Sequence, residues 1–319
     1  MKPILITLFT MAVSAALFAQ NPDKALSRVS YSFTHIQDTT QKDKPYTENM
    51  LLVIGKNASV YTSYDKIKRD LAMQNQVKEQ LKNQAGSGQT TLIVQGDPIG
   101  KVSGLDYFFF ANENKFITKE RVFNNYLIEE TAPKIEWKIT KDTASFAGIH
   151  CLKATTHFKG RNWIAWFAPD LPFQSGPWKL NGLPGLIIEA YDEQKEVQFQ
   201  FAGMENVVQT ETAPATNVEP QIKTANGSIS IVKMMGSDNG MTYLGNEIQL
   251  PTDAIKTTRK ELDRLKEAKE KDPVGFMNAQ MAGSNVRFGV STNIPRATSS
   301  KTSVAKIVVN NPIELPETK

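Results

Sequence analysis

The chain has 319 residues, of which 40% are hydrophobic and 22% charged, and its 37 Lys and Arg against 33 Asp and Glu leave a formal net charge of +4. That is enough apolar material for a core and enough length for one large or two small domains. A nearly balanced charge spread along the chain gives no electrostatic basis for a nucleic-acid partner, and a single cysteine, Cys151, excludes an internal disulfide.

Lys2, the apolar stretch from Ile4 to Val13 and the small-residue exit Ala15-Ala16-Leu17-Phe18-Ala19 have the pattern of a secretory signal peptide. Residues 1–19 are therefore expected to be removed, leaving residues 20–319 as one β-rich domain. Cleavage removes Lys2 and no acid, taking the charge from +4 to +3. The apolar stretch falls short of the roughly 20 residues a spanning helix needs, and no later segment comes close, so no transmembrane span is expected. The expected location is the periplasm or the medium.

Arg28 to Ile36 alternates apolar and polar residues like a strand, and Met50–Gly55 and Ser59–Thr62 continue an antiparallel meander. Asp65 to Ala85 reads as a helix with an apolar stripe of Ile67, Leu71, Met73, Val77 and Leu81, stopped by Gly86. Short strands are expected at 91–94, 106–110, 116–118 and 126–128. Segments 147–158 and 162–167 should pair through a turn at Lys159-Gly160.

Next comes Gly176-Pro177-Trp178, followed by Gly182-Leu183-Pro184-Gly185-Leu186-Ile187. Leu183–Leu186 fits a type II turn, with Pro184 presetting φ and Gly185 accepting a positive one. Gly182 and Gly185 would also admit a second backbone, for packing or for a ligand. The apolar run through Ile188, Ala190 and Tyr191 suggests a strand covered on both faces. Residues 196–201 alternate cleanly, 206–227 read as a surface excursion, and order resumes at 228–232. A second helix is expected from about Thr252 to Lys271, and a last strand at 304–309.

The GPW element and the hexapeptide resemble the GLPGLI family of exported bacterial proteins, which has no assigned reaction. The likeness is most specific at residues 137–192 and at Asn311-Pro312-Ile313-Glu314-Leu315. It implies an exported, β-rich envelope protein and, more loosely, a role beside an outer-membrane receptor or another periplasmic protein. The expected fold is mainly β (α+β), a curved antiparallel sheet or open barrel with two peripheral helices.

Chemical motifs are sparse. His35, His150 and His157 are the only histidines, and no zinc-ligand spacing connects them. Cys151 in an apolar strand suits a small buried residue better than a nucleophile. Met234, Met235, Met241, Met277 and Met281 are soft donors that would suit cuprous copper, and equally ordinary core residues. No Gly-x-Ser-x-Gly elbow, Walker or dinucleotide motif occurs, so no cofactor is expected. Asp170, Glu189, Asp192 and Glu193 are the carboxylates nearest the motif that a hydrolase assembled from distant residues would draw on.

The strongest binding candidates are Lys159, Arg161, Trp163, Trp166 and Trp178, which combine large contact areas with cationic groups. Within one strand, Trp163 and Trp166 point to opposite faces, so one lines a pocket and the other joins the core. The sequence thus favours a non-catalytic protein binding an amphipathic ligand or an envelope partner on the concave side of its sheet. A hydrolase and a copper-binding protein are the alternatives.

Overall fold

The computed structural model describes residues 22–83, 102–208, 221–224, 227–230, 240–252, 254–280 and 309–317. The expected signal peptide and the strands at 91–94 and 304–308 lie outside these residues.

Strands β1 (Asp23–His35), β2 (Tyr46–Gly55) and β3 (Ala58–Ser63) lead into helix α1 (Tyr64–Asn83). They are followed by β4 (Leu105–Phe110), β5 (Lys115–Arg121), β6 (Asn125–Thr131), β7 (Lys138–Phe146), β8 (Ile149–Phe158) and β9 (Arg161–Ala168). After the motif come β10 (Leu186–Asp192), β11 (Val197–Asn206) and the small hairpin β12 (Gln221–Thr224) and β13 (Gly227–Ser230). Short strands β14 (Glu247–Ile248) and β15 (Ile255–Lys256) precede helices α2 (Arg259–Lys271) and α3 (Pro273–Gln280). One sheet of 13 strands runs β15-β6-β5-β4-β3-β2-β1-β11-β10-β9-β8-β7, with β14 also paired to β1. Every pair is antiparallel except β15 with β6, and the ends do not meet.

The sheet is strongly curved. Tyr61 on β3 and Phe199 on β11 are three strands apart, roughly 14 Å if the sheet were flat, yet their ring centroids are 6.1 Å apart. The face bearing these rings is therefore concave. A ladder continues along it from Trp178 to Trp163 (5.6 Å), Phe199 (6.1 Å) and Phe33 (5.1 Å). Val29, Tyr31, Leu52, Ile54, Phe167 and Ile187 complete this core.

The convex face is covered unevenly. Over β2–β5, Ile67 and Leu71 of α1 pack on Leu51, Val53, Val60 and Phe108. Beneath the same helix Asp106, wholly buried, accepts hydrogen bonds from Lys66 Nζ (2.5 Å), Thr62 Oγ1 (2.5 Å) and Tyr243 OH (2.8 Å), and pairs with Lys119 Nζ at 2.6 Å. At the β6 edge the helices lie on the other, concave side: Leu262 and Phe276 pack on Val122, Tyr126 and Ile128, the last two in register with Glu120 and Thr118. Beyond β1, no described helix covers the convex face.

The expected mainly β, curved and open sheet with peripheral helices is what the chain forms, and local chemistry corrects one boundary and adds a short helix. The second helix starts at Arg259, not Thr252, because Thr258 and Glu261 form a capping box: the Thr258 side chain accepts from Glu261 N, and the Glu261 carboxylate from Thr258 N. Ile255 instead joins the sheet beside Tyr126. A further helix, α3, begins at Pro273, where a missing N–H costs nothing, with Asp272 Oδ1 accepting from Gly275 N at 2.9 Å.

Candidate functional site

The β8–β9 hairpin turns at Lys159-Gly160 as expected, both with positive φ (54° and 69°), the two-residue geometry matched to sheet twist. It sets the side chains of β9 alternately inward and outward. Trp163 points inward and is 1% exposed, its indole donating to Phe158 O at 2.9 Å. Trp166 points outward, half-buried, against Phe146 at a centroid distance of 5.8 Å. The opposite-face expectation therefore holds.

Trp178 is buried beside Trp163 in the concave core, together with Leu180 and Leu183. The GPW and hexapeptide segment is thus a plug, and the concave side expected to take a ligand is filled by the chain itself. The cavity left there, lined by Tyr61, Tyr107, Trp178 and Asn181, measures about 10 Å³, the scale of one water molecule. The turn is also not type II. Gly185 N donates to Leu183 O at 2.8 Å, closing a three-residue turn at Pro184. Gly185 has φ +154°, and a Cβ there would lie 2.2 Å from Ala168 O, so of the two readings of this glycine close backbone packing is the one seen.

Arg161 is buried and fully engaged at one end of the concave face. Its Nη1 donates to Asp192 Oδ2 (2.7 Å), its Nη2 to Asn311 Oδ1 (2.6 Å) and Pro312 O (2.7 Å), and its Nε to Ile313 O (2.9 Å). Asn311 donates in turn to Ile36 O and Glu196 Oε2, and its carbonyl meets His35 Nε2 at 2.8 Å. Burial lowers the His35 pKa from its usual value. Lys159 pairs with Glu314 at 3.2 Å, and Lys179 with the same carboxylate at 2.8 Å. Arg161 and Lys159 therefore hold the C-terminal segment 309–317 against the sheet as a strap. The five binding candidates do not converge: two form core, two fasten the strap, and Trp166 alone of them faces the open convex side.

There Trp166 borders a cleft of about 320 Å³ with Phe146, Glu189, Tyr191, Lys195, Gln198 and Gln200. A β-bulge makes it. Ile187 faces Phe167 and Glu189 faces Trp166 across β9–β10, with Ile188 as the extra residue. The bulge leaves Ile187 and Ile188 both in the concave core and aims Glu189 outward, which is why β10 is apolar yet uncovered on its convex face. Tyr191 lies opposite Gln198, its hydroxyl 3.4 Å from Trp166 Nε1. Lys195 Nζ lies 5.6 Å from the centre of the Tyr191 ring. Burial raises the pKa of Glu189, opposed by a hydrogen bond from the Phe201 backbone.

Of the four carboxylates near the motif, Glu189 enters the cleft; Asp192 is bound to Arg161, Glu193 accepts from Asn162, and Asp170 is exposed. Cys151 is buried, and burial pushes its thiol up to about 11, the opposite of an activated nucleophile. No group of three or more His, Cys, Asp or Glu among the described residues is placed to hold a metal. Met234, Met235 and Met281 lie outside those residues; Met241 falls in the 3-10 turn Gly240–Leu244 and Met277 in α3. No described helix is long and apolar enough to cross a membrane. Sequence reasoning missed the cleft as a unit, although the alternation of Gln198 and Gln200 with Phe199 signalled a polar outer face.

A family model described as a protein of unknown function (Porph_ging) matches residues 157–189, about a tenth of the chain, spanning β9, the GPW element and the hexapeptide. That is consistent with the GLPGLI resemblance. No curated protein matches the chain. Among solved structures, PNGF-II in its P21 crystal form is similar at 12% identity over 59% of this chain and 29% of that one, with a TM-score of 0.41. The C2 form is similar at 10% identity over 75% and 32%, with a TM-score of 0.43. The chain thus spans less than a third of the PNGF-II chains it matches.

Proposed function

We propose that this protein is a GLPGLI-type exported envelope protein that binds an amphipathic ligand without transforming it, and that the binding site is the convex cleft of β9–β11. The observation that carries this reading is the half-buried Trp166 and Tyr191 pair, flanked by Glu189, Gln198 and Gln200 in a cleft of about 320 Å³. Small-molecule sites combine aromatic walls with a few placed polar groups in this way, and this volume lies at the lower end of their range. Export rests on the signal-like residues 1–19. Binding is favoured over hydrolysis because Glu189 is the one carboxylate among the described cleft residues, whereas acid–base hydrolysis commonly draws on two.

Two measurements test the reading. N-terminal sequencing of the protein recovered from the envelope should begin at Gln20, and an intact Met1 would remove the cleavage claim, while absence of the protein from the envelope would remove the export claim. Intrinsic tryptophan fluorescence across a panel of lipids, peptides and saccharides should respond to at least one class and lose that response in Trp166→Ala. A panel without any response would remove the binding claim.

A further inference from the structure

We infer that the ligand of this cleft is a neutral saccharide, an assignment that rests on the binding reading above and narrows it to one chemistry. Three features of the lining carry it.

First, the cleft is two-sided in chemistry. Phe146, Trp166 and Tyr191 supply ring surface, while Glu189, Gln198 and Gln200 supply hydrogen-bonding groups. A sugar ring has the same division, with C–H faces that lie on aromatic rings and equatorial hydroxyls that reach sideways. An acyl chain offers no partner for three polar side chains, and burying them under it would leave them unpaired.

Second, the polar groups suit hydroxyls. Each glutamine amide both donates and accepts, and the Glu189 carboxylate accepts, so the lining can meet a hydroxyl in either role. The one acid and one base, Glu189 and Lys195, leave no net charge in the lining to select an anion or a cation.

Third, the backbone is already committed. Strands β9, β10 and β11 lie inside the sheet, each with a neighbour on both sides. A peptide therefore finds no free strand edge here and cannot add the main-chain bonds that give extended peptides their affinity. Recognition at this place must be made by side chains, whose rings and amides suit the C–H faces and hydroxyls of a sugar.

The test is a fluorescence and calorimetric titration of the mature protein with four neutral oligosaccharides, maltotetraose, cellotetraose, chitotetraose and mannotriose, against dihexanoylphosphatidylcholine and a Leu/Lys amphipathic peptide. At least one saccharide should bind, with affinity falling about tenfold or more in Trp166→Ala, the equivalent of about 1.4 kcal/mol, and largely kept in Trp166→Phe. Gln198→Ala with Gln200→Ala, which alter no core residue, should weaken the same saccharide and carry the test if Trp166→Ala does not fold. Lipid or peptide binding that is lost in Trp166→Ala, with no saccharide bound, would overturn the saccharide assignment and leave the binding reading standing. Saccharide binding indifferent to all these substitutions would overturn the site. Silence from every probe would overturn both.

Discussion

The two halves of the sheet differ in what covers them. From β2 to β5 both faces are buried, the concave one by the aromatic core and the convex one by α1 over the Asp106 network. From β9 to β11 only the concave face is packed, and the convex face carries the cleft. In the first half a side chain is constrained whichever way it points, so the residues there serve stability. In the second, alternate residues of one strand serve different ends, and Trp163 and Trp166, three positions apart, are its clearest pair.

The sharpest way to break the comparison is to truncate that pair. Trp163→Ala should cost about 3–5 kcal/mol as a core aromatic, read as a lowered urea midpoint. Arg161→Ala should cost a similar amount, about 3–5 kcal/mol, because it leaves Asp192 buried without its partner. It should also make segment 309–317 the first site of limited proteolysis, and Arg161→Lys should not restore protection, since a lysine cannot make four bonds in the guanidinium plane.

Gly185→Ala should cost about 1–3 kcal/mol, as its Cβ meets the Ala168 carbonyl. Acid should affect the helix-covered half. Despite burial, Lys119 and Lys66 hold the Asp106 pKa far below the usual carboxylate range. Its contribution is therefore complete above the unfolded value of about 3.9 and is lost as pH falls toward the lower folded value. Denaturation at pH 7, 5 and 3 should show a loss concentrated in the last step that is smaller in a variant with Asp106→Asn. The smallest stability change, under about 1 kcal/mol, is expected for Trp166→Ala, which should remove ligand response while leaving the urea midpoint almost unmoved. A large destabilisation there would erase the distinction between the two halves.

Local pattern made much of this visible beforehand. Strands β1, β2, β4 and β11, helix α1 and the Lys159-Gly160 hairpin are written in periodicity and turn chemistry, because each depends on residues within one or two turns of chain. The parity of Trp163 and Trp166 needs only a strand. What escaped depends on register. The apolar run at Leu186–Ala190 reads as a strand covered on both faces until a bulge at Ile188 changes which side is served. Arg161 looks like a free cation until Asp192, 31 positions away, and Asn311, 150 positions away, are brought to it. The start of α2 was legible in the Thr258 and Glu261 spacing, but Ile255, seven positions before Leu262 and so in helical register with it, hid it.

The strap has a consequence for how the chain reaches its final state. His35 meets Asn311 across 276 positions, and the Arg161 bonds to the same segment span 150 or more. Contacts of such separation are the costliest in loop entropy and form late. However the chain is delivered, the His35 end of its first strand gains this contact only after residue 311 has been made and has found an assembled sheet. Synthesis halted before that point would leave a nearly complete sheet with a buried arginine and an aspartate open at one end. Such a species gives quality control a ready mark of an unfinished molecule.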